Sequence, residues 1–301
     1  MERFVQQARE ITVNKQGMEL LSHGTSAFPV AIYDVDFTID SFLWHWHDEL
    51  EFGVVAAGEI DIYIGTNTYR LKAGEAYFAN AGILHAGYNV SLQTCRLKMI
   101  VFHPSIVGGA SGSVFWQDYV KPVIEDRSLQ GLYLSPAESS QRLAVEAILA
   151  AWQSCADRSP GYPFQVRNIL SEILFQISKN QEQPHTNLDM KYLRSNQRVQ
   201  QMLGYISKHY ADSITLREIA DSAAVSPSEC LRCFHSIIHI TPIQYLRDYR
   251  INQAAERLKT SSACVSEIAR QCGFLEMSYF SKVFRKKYGC SPVEFRREHL
   301  K

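Results

Sequence analysis

Two stretches of this chain repeat one another, and that repeat constrains the fold more than any other feature. The first copy reads TLREIADSAAVSPSECLRCFHSII from Thr215, the second CVSEIARQCGFLEMSYFSKVFRKKYG from Cys264. Glu218-Ile219-Ala220 answers Glu267-Ile268-Ala269, Phe234 answers Phe284, and Thr241-Pro242 answers Ser291-Pro292. Self-similarity at a fixed offset of roughly fifty residues means two like units in tandem. Each reads as a short helix, a tight turn and a second helix.

Local signals place the helix starts. Thr215 with Glu218 makes a capping box, and Ser226-Pro227-Ser228-Glu229 supplies an N-cap, a proline at the first helical position and an acid at the third. Ala220, Ala223 and Ala224 are small enough for a close helix crossing. On the helix after Ser226, Cys230, Cys233, Phe234 and Ile237 share the core face. Ser228, Leu231, Arg232 and His235 take the other, which fits a major groove. In the second copy Gly273 supplies the turn. Phe280, Val283, Phe284 and Tyr288 face the core; Ser278, Ser281, Lys282 and Arg285 face out. Arg285-Lys286-Lys287 suits phosphates. Two caps depart from the first copy: Cys264 stands where Thr215 would, and Glu276 where Ser226 would. Cys230-x-x-Cys233 has zinc-knuckle spacing but no second pair, and Cys233 lies on the core face, so both read as small buried hydrophobes.

Charge agrees with the groove. The whole chain is formally neutral, yet residues 195–301 carry 16 Lys+Arg against 10 Asp+Glu, leaving 15 against 21 upstream. Such asymmetry points to nucleic acid for the C-terminal part. The 301 residues exceed a typical single domain, so two are expected. The N-terminus MERFVQQARE has no apolar run and no stretch reaches membrane-span length. Seven scattered cysteines, an odd number, suit reduced thiols in a cytosol. A cytoplasmic protein without a membrane partner is expected.

Upstream, Val30 to about Phe102 reads as strands. Ile60-Asp61-Ile62-Tyr63-Ile64 alternates apolar and polar, turns at Gly65-Thr66-Asn67, and Tyr69-Arg70-Leu71 alternates again, the pattern of a sandwich or small barrel. Gly108–Gly112 leaves the strands. Two helices follow. One, opened by Pro136, carries Leu143, Ile148, Leu149 and Trp152; the other, from Phe164 to Lys179, carries Ile169, Leu170, Ile173, Leu174 and Ile177. Their apolar faces exceed what two isolated helices should expose. Gln181 to Asn187, extended through Asn196, reads as a linker.

His45 and His47 point to one side of a strand, with Glu51 following and His85 further on. The spacings are H-x-H-x3-E-x6-G, ending at Gly58, and G-x5-N-x-G-x2-H-x3-N from Gly74 to Asn89. Imidazoles with one carboxylate suit Zn, Ni, Fe or Mn. The same histidines also suit an organic ligand or a hydrogen-bonded strand edge. Trp44, Trp46, Tyr63 and Tyr77 read as an aromatic wall for a sugar-like ligand or as core.

Residues 197–297 resemble the DNA-binding domain of AraC/XylS-type transcription regulators. The matching segments are SPSECLRCF, Thr241-Pro242…Tyr245…Arg250-Ile251, SEIARQCGF and SYFSKVFRKKYGCSPVEFR. That resemblance implies twin helix-turn-helix units flanking a long helix and entering successive major grooves. It puts Ser228, Leu231 and Arg232 at base-reading positions of the first unit and Ser278 and Lys282 at those of the second, with Arg285 also on DNA. The two histidine segments resemble cupin barrel motifs, with Asn80 where proline is usual and Ile39 where a glycine is common. In metal-binding cupins the corresponding residues, here His45, His47, Glu51 and His85, hold one cation.

The expectation is an α+β multidomain chain. A cupin-like ligand-sensing β-barrel occupies 1–112, a helical linker and dimerisation region 113–183, and an all-α twin helix-turn-helix domain 195–301. The function implied is an effector-controlled transcription regulator, an activator answering a sugar or related metabolite. Its partners would be promoter DNA, a second copy and RNA polymerase, with a divalent metal in the barrel. Two functions compete: a metal-dependent cupin dioxygenase or isomerase, and a constitutive DNA-binding protein whose barrel only dimerises. No further carboxylate or base stands by motif beside the four ligands, so the expectation is no enzyme.

Overall fold

The computed structural model describes residues 18–19, 21–37, 42–90, 93–179 and 190–299. Leu21–Phe42 with Trp46–Asp189 makes one compact unit, and Met190–Lys301 forms the body of a second. Leu43–His45 is grouped with the second. Its strand is hydrogen-bonded into a sheet of the first, and it is described there.

Among the described residues, nine strands build the first unit: β1 (Val30–Asp36), β2 (Phe42–His45), β3 (Leu50–Ala57), β4 (Glu59–Ile64), β5 (Asn67–Lys72), β6 (Ala76–Ala79), β7 (His85–Asn89), β8 (Arg96–Phe102) and β9 (Gly131–Leu134). They divide between two sheets, β1-β8-β3-β6-β9 and β2-β7-β4-β5. The described strands thus form a two-sheet sandwich; the expected barrel does not close as one hydrogen-bonded ring.

Side-chain alternation explains the layering, since neighbours along a strand point to opposite faces. Tyr33, Val35, Leu97, Met99 and Val101 pack with Ile60, Ile62, Ile64 and Leu71 of the facing sheet. The opposite face of the five-stranded sheet, with Ile32, Phe52, Val54, Phe78, Ile100 and Phe102, packs on helices. These are α1 (Ser105–Gly108), a π-helical turn at Phe115–Val120, α2 (Lys121–Glu125), α3 (Ser139–Asp157) and α4 (Tyr162–Lys179). β4 instead keeps the clean alternation of a sheet half open to solvent.

The apolar stripes of the two long helices therefore find their partner inside the chain. Ile148, Trp152, Leu170, Ile173, Leu174 and Ile177 are buried against that sheet. Trp152 also donates its Nε1–H to the Tyr33 carbonyl at 3.0 Å. Leu143 on α3 and Phe164 on α4 stay outside, 64% and 74% exposed. Asn80, in the usual place of a proline, ties down α2 and the loop after it: its Nδ2 donates to the carbonyls of Val123 and Leu129 at 2.8 and 2.9 Å.

The second unit is all helix: α5 (Met190–His209), α6 (Leu216–Asp221), α7 (Pro227–Ile237), α8 (Pro242–Thr260), α9 (Val265–Gln271), α10 (Met277–Tyr288) and α11 (Pro292–His299). Helix α5 starts within the stretch read as linker; Gln181–Asn187 lies outside the described residues. Among the described residues, no helix is long and apolar enough to cross a membrane.

The repeat holds in backbone detail. Thr215 caps α6 in a full capping box, Ser226 caps α7 through the Glu229 amide, and Thr241 with Gln244 forms a second box on α8. Such caps contribute about 1 kcal/mol each. Cys264 and Glu276 make no side-chain cap to α9 and α10. Both turns need a left-handed residue. The second copy uses Gly273 (φ 79°) and Gly289 (φ 75°), the first Ala224 (φ 52°) and His239 (φ 62°). A Cβ at Gly273 would sit 2.8 Å from the Tyr210 carbonyl oxygen, so only glycine fits there. Ala224 has a Cβ and accepts the torsional cost.

Candidate functional site: two-faced helices and a buried histidine cluster

α7 presents two faces as its sequence requires. Cys230, Cys233, Phe234 and Ile237 are buried, and Ser228, Leu231, Arg232 and His235 are exposed. Burial pushes the Cys230 thiol up to about 12 and raises that of Cys233, so neither offers a ready thiolate at neutral pH. Arg232 forms an ion pair with Glu229, one turn back on the same helix. Glu229 is also held by Arg198 of α5, Nη1 to Oε1 at 2.8 Å. The carboxyl of Glu229 lies below its usual range, first because it accepts from Arg232.

α10 behaves similarly. Phe280 and Phe284 are buried with ring centroids 5.6 Å apart, while Ser278, Lys282 and Arg285 are on the outer side. Lys282, Arg285 and Lys286 line one open groove with Ser281 and Ser291. The basic run is not uniform. Lys287 turns inward and donates to Asn252, and burial pushes its amine down to about 8. Of the three, Arg285 and Lys286 face solvent.

The second centre is the histidine cluster. His45 ends β2, His47 follows two residues later, Glu51 lies on β3 and His85 opens β7. The Gly82 amide donates to the His47 carbonyl at 2.8 Å, tying the two motif segments together. One ring nitrogen from each of His45, His47 and His85 lies within 4.8 Å of the others, and all three residues are buried. Glu51 approaches from one side, its Oε2 3.5 Å from His47 Nε2 and 3.8 Å from His85 Nε2. It does not join the mutually close set, and His45 Nε2 instead faces Glu19 Oε2 at 3.7 Å.

The ring orientations follow one rule. Nδ1 of His45 lies 2.8 Å from the Leu43 carbonyl, Nδ1 of His47 3.2 Å from that of Glu49, and Nδ1 of His85 2.9 Å from that of Ile83. A carbonyl only accepts, so each Nδ1 carries the proton and each Nε2 of a neutral ring presents a lone pair. Three lone pairs then converge beside a carboxylate, an arrangement that calls for a cation. Two ligand atoms at about 2.1 Å from a tetrahedral ion lie about 3.4 Å apart; the His47–Glu51 separation matches. The donor set fits a divalent metal, and backbone acceptors on the far nitrogens are the usual outer support of metal-bound imidazoles.

Burial by itself would raise the Glu51 carboxyl; His47 and His85 in their protonated forms, and the Tyr77 hydroxyl, outweigh that and lower it, and a cation held by the neutral rings would supply the same positive charge. Tyr77 donates to Glu51 Oε1, and burial followed by the Glu51 charge raises the phenol. Gly53 makes room for this contact, because a Cβ there would lie 2.2 Å from the Tyr77 ring.

Of the four aromatics, Tyr77 joins the cluster through that bond to Glu51. Tyr63 points away from Ile62 and Ile64 and meets Tyr88 edge-on at 5.7 Å. Two residues near the cluster carry no motif signal. Glu19 approaches His45, and His23 packs its ring 5.0 Å from that of His47 while its Nδ1 lies 2.8 Å from the Tyr33 hydroxyl. Both precede β1, and nothing local in sequence links them to the H-x-H segment.

Comparison with known proteins covers both units. The family model for the AraC-like ligand binding domain matches residues 28–152, and that for a helix-turn-helix domain matches 219–298. The chain is 26% identical over 292 residues to the uncharacterized HTH-type transcriptional regulator YdeC of Bacillus subtilis (strain 168), covering 96% of this chain and 99% of that one. It is 23% identical over 262 residues to the HTH-type transcriptional activator RhaR of Mannheimia succiniciproducens, covering 86% and 89%. It is also 33% identical over 131 residues to the arabinose operon regulatory protein of Escherichia coli (strain K12), covering 43% and 42%. With a ligand-binding sandwich followed by twin helix-turn-helix units, and with relatives that are regulators and not enzymes, the chain belongs to the AraC-type transcription regulators.

Proposed function

We propose that this regulator reads promoter DNA through α7 and α10 and takes its signal at the buried histidine cluster, where His45, His47, His85 and Glu51 hold a divalent cation. The observation that carries the cation is the common orientation of three imidazoles, each with Nδ1 on a backbone carbonyl. Ser228, Leu231 and Arg232 on α7 and Ser278, Lys282 and Arg285 on α10 meet the DNA. A second reading rests on the same lone pairs, which also accept hydroxyl hydrogens from a sugar or related metabolite; the name of the arabinose relative favours it. The name of the RhaR relative supports an activator, hence one acting with RNA polymerase in the cytoplasm. The deciding experiment uses full-length protein and duplexes it selects from a random-sequence pool. Affinity measured with and without a chelator should differ by about 5- to 150-fold, the usual range of coupling between two sites. Equal affinities in both conditions would leave the cation a structural part and not a signal.

We also propose a homodimer, with Leu143 and Phe164 as its contact residues because they are apolar side chains that α3 and α4 leave outside. Phe164→Glu should keep its fold and sediment as a monomer. Ile173→Asp should instead lose the folded N-terminal unit, since it buries a carboxylate in the helix–sheet core. A Phe164→Glu protein that remains dimeric moves the contact elsewhere.

A further inference from the structure

The leading end of α10 is apolar, and no feature of the fold requires it. Leu275, in the turn, is 93% exposed; Met277 and Tyr279 on the first turn are 38% and 50% exposed. Single exposed apolar residues are ordinary. Three within five positions, at the end of a reading helix that meets base edges, are not scattered. Within the helix, Ser278, Tyr279 and Lys282 lie on the side opposite the buried Phe280 and Phe284, and Leu275 precedes them in the turn before the extended N-cap Glu276. The cations sit further along, with Lys282, Arg285 and Lys286 in one groove with Ser291. In the first copy Val225 and Pro227 hold the places of Leu275 and Met277, Ser228 matches Ser278, and the exposed face of α7 carries Leu231 beside the Arg232 guanidinium.

We propose that α10 selects its DNA segment by thymine 5-methyl groups, met by Leu275 and Tyr279, while Lys282, Arg285 and Lys286 hold the flanking phosphates. This deepens the proposed DNA-reading function and rests on it. The major groove offers an apolar side chain one specific complement, the methyl of thymine. Neither Leu275 nor Met277 can donate or accept a strong hydrogen bond, and the hydroxyl of Ser278 does not discriminate among bases. At Leu275 and Met277 discrimination therefore comes from shape and apolar contact, and Tyr279 adds the face of its ring as well as a hydroxyl. Lys282, grouped with two other cations beside the α11 start, is placed for phosphate and not for a base. The two helix-turn-helix units then differ in their charged partner: α7 adds a hydrogen-bond pattern through Arg232 beside Leu231, and the tip of α10 reads methyl groups.

The test replaces thymine by 2′-deoxyuridine, one position at a time, in a duplex that full-length protein selects from a random pool. The change removes one methyl and leaves the hydrogen-bonding edge intact. Burial of one such carbon is worth about fourfold in affinity, so at least one position should lose about that factor. In Leu275→Ala/Tyr279→Ser protein, whose changed residues are both exposed, that position should become insensitive while salt dependence persists. A wild-type protein indifferent to deoxyuridine everywhere overturns the proposal. So does a double variant whose sensitivities all match wild type. Failure to enrich any duplex would instead strike the DNA-reading function on which the proposal stands.

Discussion

His47→Ala protein is expected to leave purification without the near-stoichiometric divalent metal that wild type carries. His47 is the ligand with most at stake: its Nε2 faces Glu51 at 3.5 Å, and its ring lies within reach of both His45 and His85. Removing it opens the set and leaves the buried Glu51 without its nearest imidazole. A metal that binds the folded state stabilises it by about 2.7 kcal/mol when its free concentration is a hundred times Kd. The wild-type melting transition of the N-terminal unit should fall by that order when a chelator is added, and the His47→Ala transition should not move. Elemental analysis and melting curves with and without chelator make the comparison. A metal-free wild type that still answers a sugar would select the second reading of the cluster, with His47→Ala then abolishing the response.

A second large effect is expected from salt. A protein that neutralises about six phosphates releases their counterions, and its affinity for duplex DNA falls about a thousandfold between roughly 50 and 200 mM salt. Arg285 and Lys286, both exposed, are among the groups that supply this charge, with Lys282 beside them. The slope of log affinity against log salt, measured for full-length protein on a selected duplex, should shrink by about one for each such side chain that leaves a phosphate. Lys286→Ala should reduce it. Lys287→Ala should not, because Lys287 is turned to Asn252. A flat salt profile would remove the phosphate-binding account of this face.

What the sequence announced were features that close over a few residues. Thr215 with Glu218 and Ser226 with Pro227 are local caps, and both form. The two faces of α7 follow from helical period alone. The H-x-H pair, Glu51 and His85 were legible because motif spacing had already encoded their approach. What the sequence hid depends on distant segments. Ile173 and Trp152 were plainly apolar, but whether they met a second chain or their own sheet depended on how β1, β3 and β8 lie. β9 is four residues long and carries Gly131, so it gave no strand signal, yet it closes an edge of the sheet. Glu19, His23 and the inward turn of Lys287 are likewise tertiary facts. So was the left-handed backbone at Ala224, where residue type argued for ordinary helix.

The pairing of Arg232 with Glu229, itself held by Arg198, bears on how the regulator ignores most of a genome. An arginine free in solvent answers any nearby anion. Arg232 already has a carboxylate, on its own helix and within one turn. A base draws it away only by offering something comparable, such as the paired acceptors on the edge of guanine. A phosphate grazed in passing, or a base with one acceptor, leaves it where it is. With Arg232 on a base edge as proposed, Glu229 would act as a threshold: it would lower the affinity of the correct site somewhat and that of the wrong ones more, and selectivity is the difference between them.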